Sequence, residues 1–171
     1  NRYLHGYWQN VAYFKEYLNE LREMFTPKNE LRMEVRTLIE KISSEETCAV
    51  HVRGGDINGP APQYFKKAMQ LMRNKNSQIE FIIFTNDMQK AAECIGVGIE
   101  EKNISYIGNY GKFSDKEEFL LMAACKNHII SNSSYSTWAA YLNKNEAQTV
   151  MVPSYKGVQQ MCLEKWQIVE I

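Results

Sequence analysis

The chain has 171 residues, 44% of them hydrophobic, and its 20 basic side chains balance 20 acidic ones to a net charge of zero. Such a surface has no net field to draw a polyanion, so nucleic acid is not an expected partner, and no apolar run approaches the roughly 18 residues needed to cross a bilayer. The length suits one domain with a sizeable core; a peripheral association with membranes stays open.

The first residue is Asn rather than Met, and no secretory or transit pattern follows, so an upstream part is expected to be missing. From Tyr7 to Phe25, apolar residues at Val11, Phe14, Leu18, Leu21 and Phe25 recur every three or four positions, which predicts a helix ending near Pro27. A second helix is expected from about Asn29 to Ile42, with Leu31, Val35, Leu38 and Ile42 on one face. Residues 1–45 therefore read as a helical segment leading into a domain over residues 46–171. Short β-rich runs then follow at Thr47 to Val52, Ile79 to Thr85, Ile104 to Ile107, His128 to Ser131 and Thr149 to Val152. Helical stretches lie between them near Pro62 to Arg73, Met88 to Ile95, Asp115 to Cys125 and Ser136 to Leu142. Alternating strand and helix implies parallel strands joined by crossovers, an α/β fold with a Rossmann-like, doubly wound parallel sheet. Cys48, Cys94, Cys125 and Cys162 stand singly, with no C-x-x-C pair and no histidine at metal-ligand spacing, so they read as reduced, buried thiols.

Three expected strands end in polar clusters: His51, Arg53 and Asp56; Thr85, Asn86 and Asp87; and Ser131 to Thr137. In a parallel sheet these project from one edge, and ligands of open α/β sheets bind outside the carboxyl ends of strands. Ser131-Asn-Ser-Ser-Tyr-Ser-Thr137 offers hydroxyls and the N–H groups of a helix start, a ready seat for phosphate oxygens, unless one serine merely caps the helix. The Arg53 guanidinium can hold two phosphate oxygens at once, and Gly54 and Gly55 let backbone approach the same group. The chain contains no G-x-x-x-x-G-K-[ST], no G-x-G-x-x-G after a strand and no D-x-D pair. A diphosphate is thus expected to meet arginine and backbone donors, with no metal and no other cofactor.

His51-Val-Arg-Gly-Gly-Asp56 resembles the H-x-R-R-G-D motif of the inverting α-1,2-fucosyltransferases. Gly6-Tyr-Trp-Gln9 with Tyr13-Phe14 is similar to the family's G-Y-[WF]-Q segment, and Phe84-Thr-Asn-Asp87 to its F-S-[DN]-D strand end. The stretch from Glu118-Phe-Leu-Leu-Met122 through Cys125-Lys-Asn-His128 to Ser131-Asn-Ser-Ser-Tyr-Ser-Thr-Trp-Ala-Ala-Tyr-Leu142 resembles the family's E-x-x-x-M…C-x-H-x-I-x-x-N-S-T-F-S-W-W-A-A-x-L signature. The resemblance runs from Gly6 to about Trp166. It implies the donor-binding lobe of a two-lobed GT-B glycosyltransferase whose amino-terminal lobe is absent.

By that resemblance the donor is GDP-fucose and the acceptor a galactose-containing glycan. Arg53 matches the arginine on the diphosphate, His51 lines the nucleoside, and Ser136 and Thr137 form the hydroxyl-bearing turn at the phosphates. Asn86, Asp87, Glu118, Asn132 and Ser133 complete the expected donor set with Gly54 and Gly55. Glu117, Glu118 and Asp87 are candidates for the guanine N1–H and amine, although acidic residues at a helix start also simply complement its dipole. Asp56 is the nearest carboxylate to serve as base; alternatively it caps a turn, the base lies in the absent lobe, or none is needed. Gly54 stands where the family usually has a second arginine, and Ser134, Tyr135 and Thr137 replace its Thr, Phe and Trp. A module that binds GDP or GDP-fucose without chemistry of its own is the alternative function. His128 reads as a core histidine or a catalyst, Trp138 and Tyr141 as packing or sugar platform, and Tyr7 and Trp8 as interface or acceptor contact. The reduced cysteines favour a bacterial cytoplasm or inner-membrane periphery; the alternative is the Golgi lumen, against which the Asn132-Ser-Ser134 sequon inside the expected site argues.

Overall fold

The structure is a computed structural model that describes residues 3, 5–55, 59–96, 103–108 and 111–171. Thr47-Cys-Ala-Val-His-Val52 forms β1, and every one of its residues is buried because it is flanked by strands on both sides and helices on both faces. Among the described residues the sheet holds β1 (Thr47–Val52), β2 (Glu80–Thr85), β3 (Ile104–Ile107), β4 (Asn127–Ile129), β5 (Val150–Pro153) and β6 (Gln167–Val169), in the order β3-β2-β1-β4-β5-β6. All neighbouring pairs are parallel.

The period-two alternation of β1 sorts the core. Cys48, Val50 and Val52 pack on α3 (Pro62–Lys75) and α4 (Met88–Ile95) through Tyr64, Phe65, Met69, Ala91 and Cys94. Ala49 packs on the other face, against Val35 and Ile42 of α2 (Met33–Ser44), Leu121 and Met122 of α5 (Asp115–Ala124) and Ala139 of α6 (Ser134–Leu142). Sheet and helix layers are those of a Rossmann-like, doubly wound domain. After β3 the chain crosses back through α5 to β4 on the far side of β1, so winding reverses between β1 and β4. In such sheets that reversal opens a crevice above the strand ends.

Local chemistry sets the helix starts along this edge. Pro62 opens α3, where its missing N–H costs nothing. Asp87 caps α4 by accepting the Lys90 N–H at 3.0 Å. Ser114 and Glu117 form a reciprocal capping box at α5.

The amino-terminal segment departs from expectation. Instead of one helix from Tyr7 to Phe25, there are two 3₁₀ turns, Val11–Tyr13 and Lys15–Tyr17, followed by α1 (Leu18–Met24). Tertiary contacts override the helical period: Phe14 leaves helical geometry (φ −142°, ψ 0°) and stacks on Trp138 at 5.1 Å, while the Val11 N–H donates to the Gln160 carbonyl. The second helix begins at Met33 rather than near Asn29, because Arg32 is extended (ψ 140°). Two elements were not expected: α7 (Lys156–Gln159) and β6, which is short and partly exposed and so lacks the apolar run of the buried strands. No helix of the described residues is long and apolar enough to cross a membrane.

Tyr64 ties α3 to β5 and to the residue that follows β4. Its buried hydroxyl shares its one hydrogen between the carbonyls of Ile130 (2.7 Å) and Met151 (2.9 Å). Tyr64→Phe is expected to lower unfolding free energy by about 1–3 kcal/mol, the cost of a buried acceptor losing its donor, read from urea denaturation.

Candidate functional site

His51 and Arg53 alternate onto the sheet face covered by α5 and α6. The His51 Nδ1 lies 3.0 Å from the Ser131 Oγ, joining β1 to the end of β4 across the winding reversal. Burial, and secondarily the Arg53 charge, push the His51 pKa down to about 3, so the ring is neutral in ordinary buffers. Arg53 and His51 line a cavity of about 250 Å³ together with Phe84, Thr85, Asn86, Asp115, Glu118, Met122 and Tyr135. Two of the larger hollows, about 510 and 660 Å³, have walls of helices and the α1–α2 connection, with Phe25, Pro27, Leu31, Phe119 and Leu120 common to both. The ends of β1 and β2 meet at the smaller one through His51, Arg53, Thr85 and Asn86, whereas of the Ser131 to Thr137 cluster only Tyr135 lines it, and Gly54, Gly55, Asp87, Asn132, Ser133, Ser136 and Thr137 do not.

At the end of β2, Asn86 accepts the Gly54 N–H at 2.8 Å and its amide reaches back to the Gly54 carbonyl at 3.5 Å. Gly54 therefore spends its N–H on Asn86, and the pair locks β1 to β2. Gly54 is required for space: a Cβ there would overlap the Asp87 side chain, with Oδ2 only 2.8 Å away. Gly55 is exposed and adopts φ +88°, which glycine accepts at little cost. Asp56 lies outside the described residues.

At the end of β4, Ser131 and Ser133 are buried, and half-buried Asn132 lies between them. The Ser136 and Thr137 hydroxyls, expected at the phosphates, are buried and donate to the Ser133 carbonyl at 3.2 and 2.9 Å. Helical residues three and four positions on turn their short hydroxyls back onto their own backbone, so this turn presents N–H groups and the exposed Ser134. The Ser133 side chain makes no capping bond to them.

Of the three carboxylates offered by the sequence for the guanine N1–H and amine, Asp87 caps α4 and Glu117 pairs with Arg32 through two bonds, at 2.7 and 2.9 Å. That pairing and the Ser114 N–H hold the Glu117 pKa near 2. Glu118 lines the cavity, and burial there, helped by the Asp115 charge, raises its pKa. His128 is a core residue, 1% exposed, with Nε2 3.0 Å from the Met122 carbonyl; Trp138 stacks on Phe14 and Phe25. Tyr7 and Trp8 are exposed.

Phe84, Asp115, Met122 and the cavity-facing role of Tyr135 were not foreseen. Two signals pointed to them: Met122 follows Glu118 by one helical turn, and Phe84 pairs with His51 in register.

Residues 1–169 match Glycosyl transferase family 11. The Alpha-1,2-colitosyltransferase of Escherichia coli is 27% identical over 183 residues, covering 96% of this chain and 61% of that protein. Galactoside alpha-(1,2)-fucosyltransferase 1 of Homo sapiens is 23% identical over 156 residues, 81% of this chain and 42% of that protein. The chain thus spans less than two thirds of the length of either. Among solved structures, ADP-heptose lps heptosyltransferase II of E. coli superposes with a TM-score of 0.52 at 15% identity, over 85% of this chain and 47% of that one. A glycosyl transferase family 9 protein from Veillonella parvula gives 0.53 at 13% identity, over 99% of this chain and 51% of that one. These two show the fold, which is of the GT-B type.

Proposed function

This chain belongs to Glycosyl transferase family 11, and from that premise we propose that it binds GDP-fucose and transfers L-fucose, with inversion and without a metal, to the 2-hydroxyl of a galactose in a glycan. The observation that carries the reading is convergence: Arg53 from the end of β1, Tyr135 from the first turn of α6 and Glu118 from α5 wall one cavity at the winding reversal.

Breaking the bond from the anomeric carbon to the diphosphate builds positive charge on the sugar and negative charge on the leaving oxygen. In this reading the Arg53 fork and the N–H groups at the start of α6 take up the negative charge. His51, held neutral, lines the nucleoside without competing for the phosphates. Glu118 accepts the guanine N1–H and amine, and Asp56 is the proposed base for the acceptor hydroxyl. Asn86, Gly54 and Asp87 shape the rim, while Asn132, Ser133, Ser136 and Thr137 set the path of the phosphate turn.

The Glu118 role predicts a pH dependence. A carboxylate accepts from both guanine donors and a carboxylic acid does not, so affinity is present while Glu118 is ionised. Because its pKa is raised, GDP affinity should fall on acidification before an ordinary glutamate would titrate. His51 stays neutral through that window, and Glu118→Gln should flatten the profile, as read by calorimetric titration of GDP.

The activity test is GDP release from GDP-fucose with excess EDTA. Release that requires a galactoside supports the proposal; release that stops with EDTA and returns with magnesium overturns its metal-free part. GDP binding without acceptor-dependent release favours the second reading, a donor-binding module, for which the loss of an arginine at Gly54 speaks. The colitosyltransferase relative makes a colitosyl donor the competing substrate to offer in parallel.

A further inference from the structure

We propose that Tyr135 is a positioning residue for nucleobase recognition, its hydroxyl fixing the first turn of α5, which carries the base-reading carboxylate, against the first turn of α6, which faces the diphosphate. The inference rests on the donor site proposed above and assigns a task to the hydroxyl of one of its wall residues. The Tyr135 Oη donates to the Asp115 carbonyl at 2.6 Å, a bond between helix starts 20 residues apart in sequence. Asp115 opens α5, and Glu118 follows three positions later on the same helix face, so a shift of the Asp115 turn carries Glu118 with it. On its outer side this turn is anchored by Arg32 on Glu117 and by the Ser114 capping box. On the crevice side Tyr135 supplies the restraint. Its ring is already seated, edge-on to Phe119 at 5.2 Å and tilted against His51 at 5.7 Å, so the hydroxyl is delivered by a rigid arm. Tyr135 is the second residue of α6, and its side chain can be altered while its backbone stays at the phosphate turn.

Tyr135→Phe keeps the ring and removes only the hydroxyl. The expected result is a rise of about three- to tenfold in the Kd for GDP, the worth of one hydrogen bond, with the Kd for inorganic pyrophosphate unchanged. The KM for the donor should rise with kcat retained. Equal affinity of parent and variant for GDP overturns the inference, and so does an equal loss for GDP and pyrophosphate, which would mean a general loosening of α6. A double-mutant cycle gives an independent check: on a Glu118→Gln background the Tyr135→Phe penalty should vanish, and its persistence refutes action through Glu118. Arg53→Ala separates this inference from its premise, because that variant must weaken GDP and pyrophosphate alike if the donor site is correctly placed.

Discussion

Arg53→Ala is expected to lower turnover about 100- to 1,000-fold, the scale on which loss of a preorganised donor to a developing anion is felt. Three features make the effect large. The guanidinium follows directly from β1, the strand paired on both sides, so its origin is fixed by the core rather than by a loop. It shares a cavity with partly buried groups, where charge is less screened than at the surface. And the next position, where a second arginine would share the load, is glycine. His51 should stay neutral in the variant, since burial is the larger cause of its lowered pKa. Arg53→Lys restores the charge without the two-pronged geometry and should recover only part of the rate. Single-turnover kinetics with saturating donor, paired with GDP titration, would test this. An alanine variant with parental turnover removes Arg53 from the chemistry.

The sheet was legible because buried parallel strands are short apolar runs and this chain has little else that resembles them. Thr47 to Val52 and Ile104 to Ile107 emerge with the expected bounds, as does the helix Met88–Ile95. The amino-terminal helix misled because Val11, Phe14 and Leu18 do face one apolar surface, though they reach it from a 3₁₀ turn, the break at Phe14 and the start of α1 rather than from one continuous helix. At the site, the identities of the strand-end residues were readable but their directions were not. Glu117 and Glu118 are neighbours on a helix and point about 100° apart, and which one enters the crevice is decided by Arg32, 85 residues earlier. Ser136 and Thr137 look like phosphate ligands in a string of hydroxyls, yet the geometry of a helix interior turns them onto the Ser133 carbonyl.

Gly54→Ala is expected to destabilise the fold by about 1–3 kcal/mol, the usual cost of overpacking, although the new group is a single methyl. Gly54 does not adopt a left-handed conformation, so the cost does not arise from backbone strain. It arises because the ends of β1 and β2 are drawn together by Asn86, whose carbonyl accepts the Gly54 N–H at 2.8 Å, and this brings the Asp87 side chain into the space of a Cβ. Asp87 cannot easily withdraw, since its Oδ1 caps α4 at 3.0 Å from the Lys90 N–H. Glycine is tolerated at a helix cap at a cost of only a few tenths of a kcal/mol, so Asp87→Gly alone should be mild. Together the two substitutions should be less damaging than their sum, with a coupling of about 1 kcal/mol in urea denaturation, because Asp87→Gly removes the atoms that the new methyl strikes. Additive costs would place the constraint elsewhere, in the Asn86 bonds themselves.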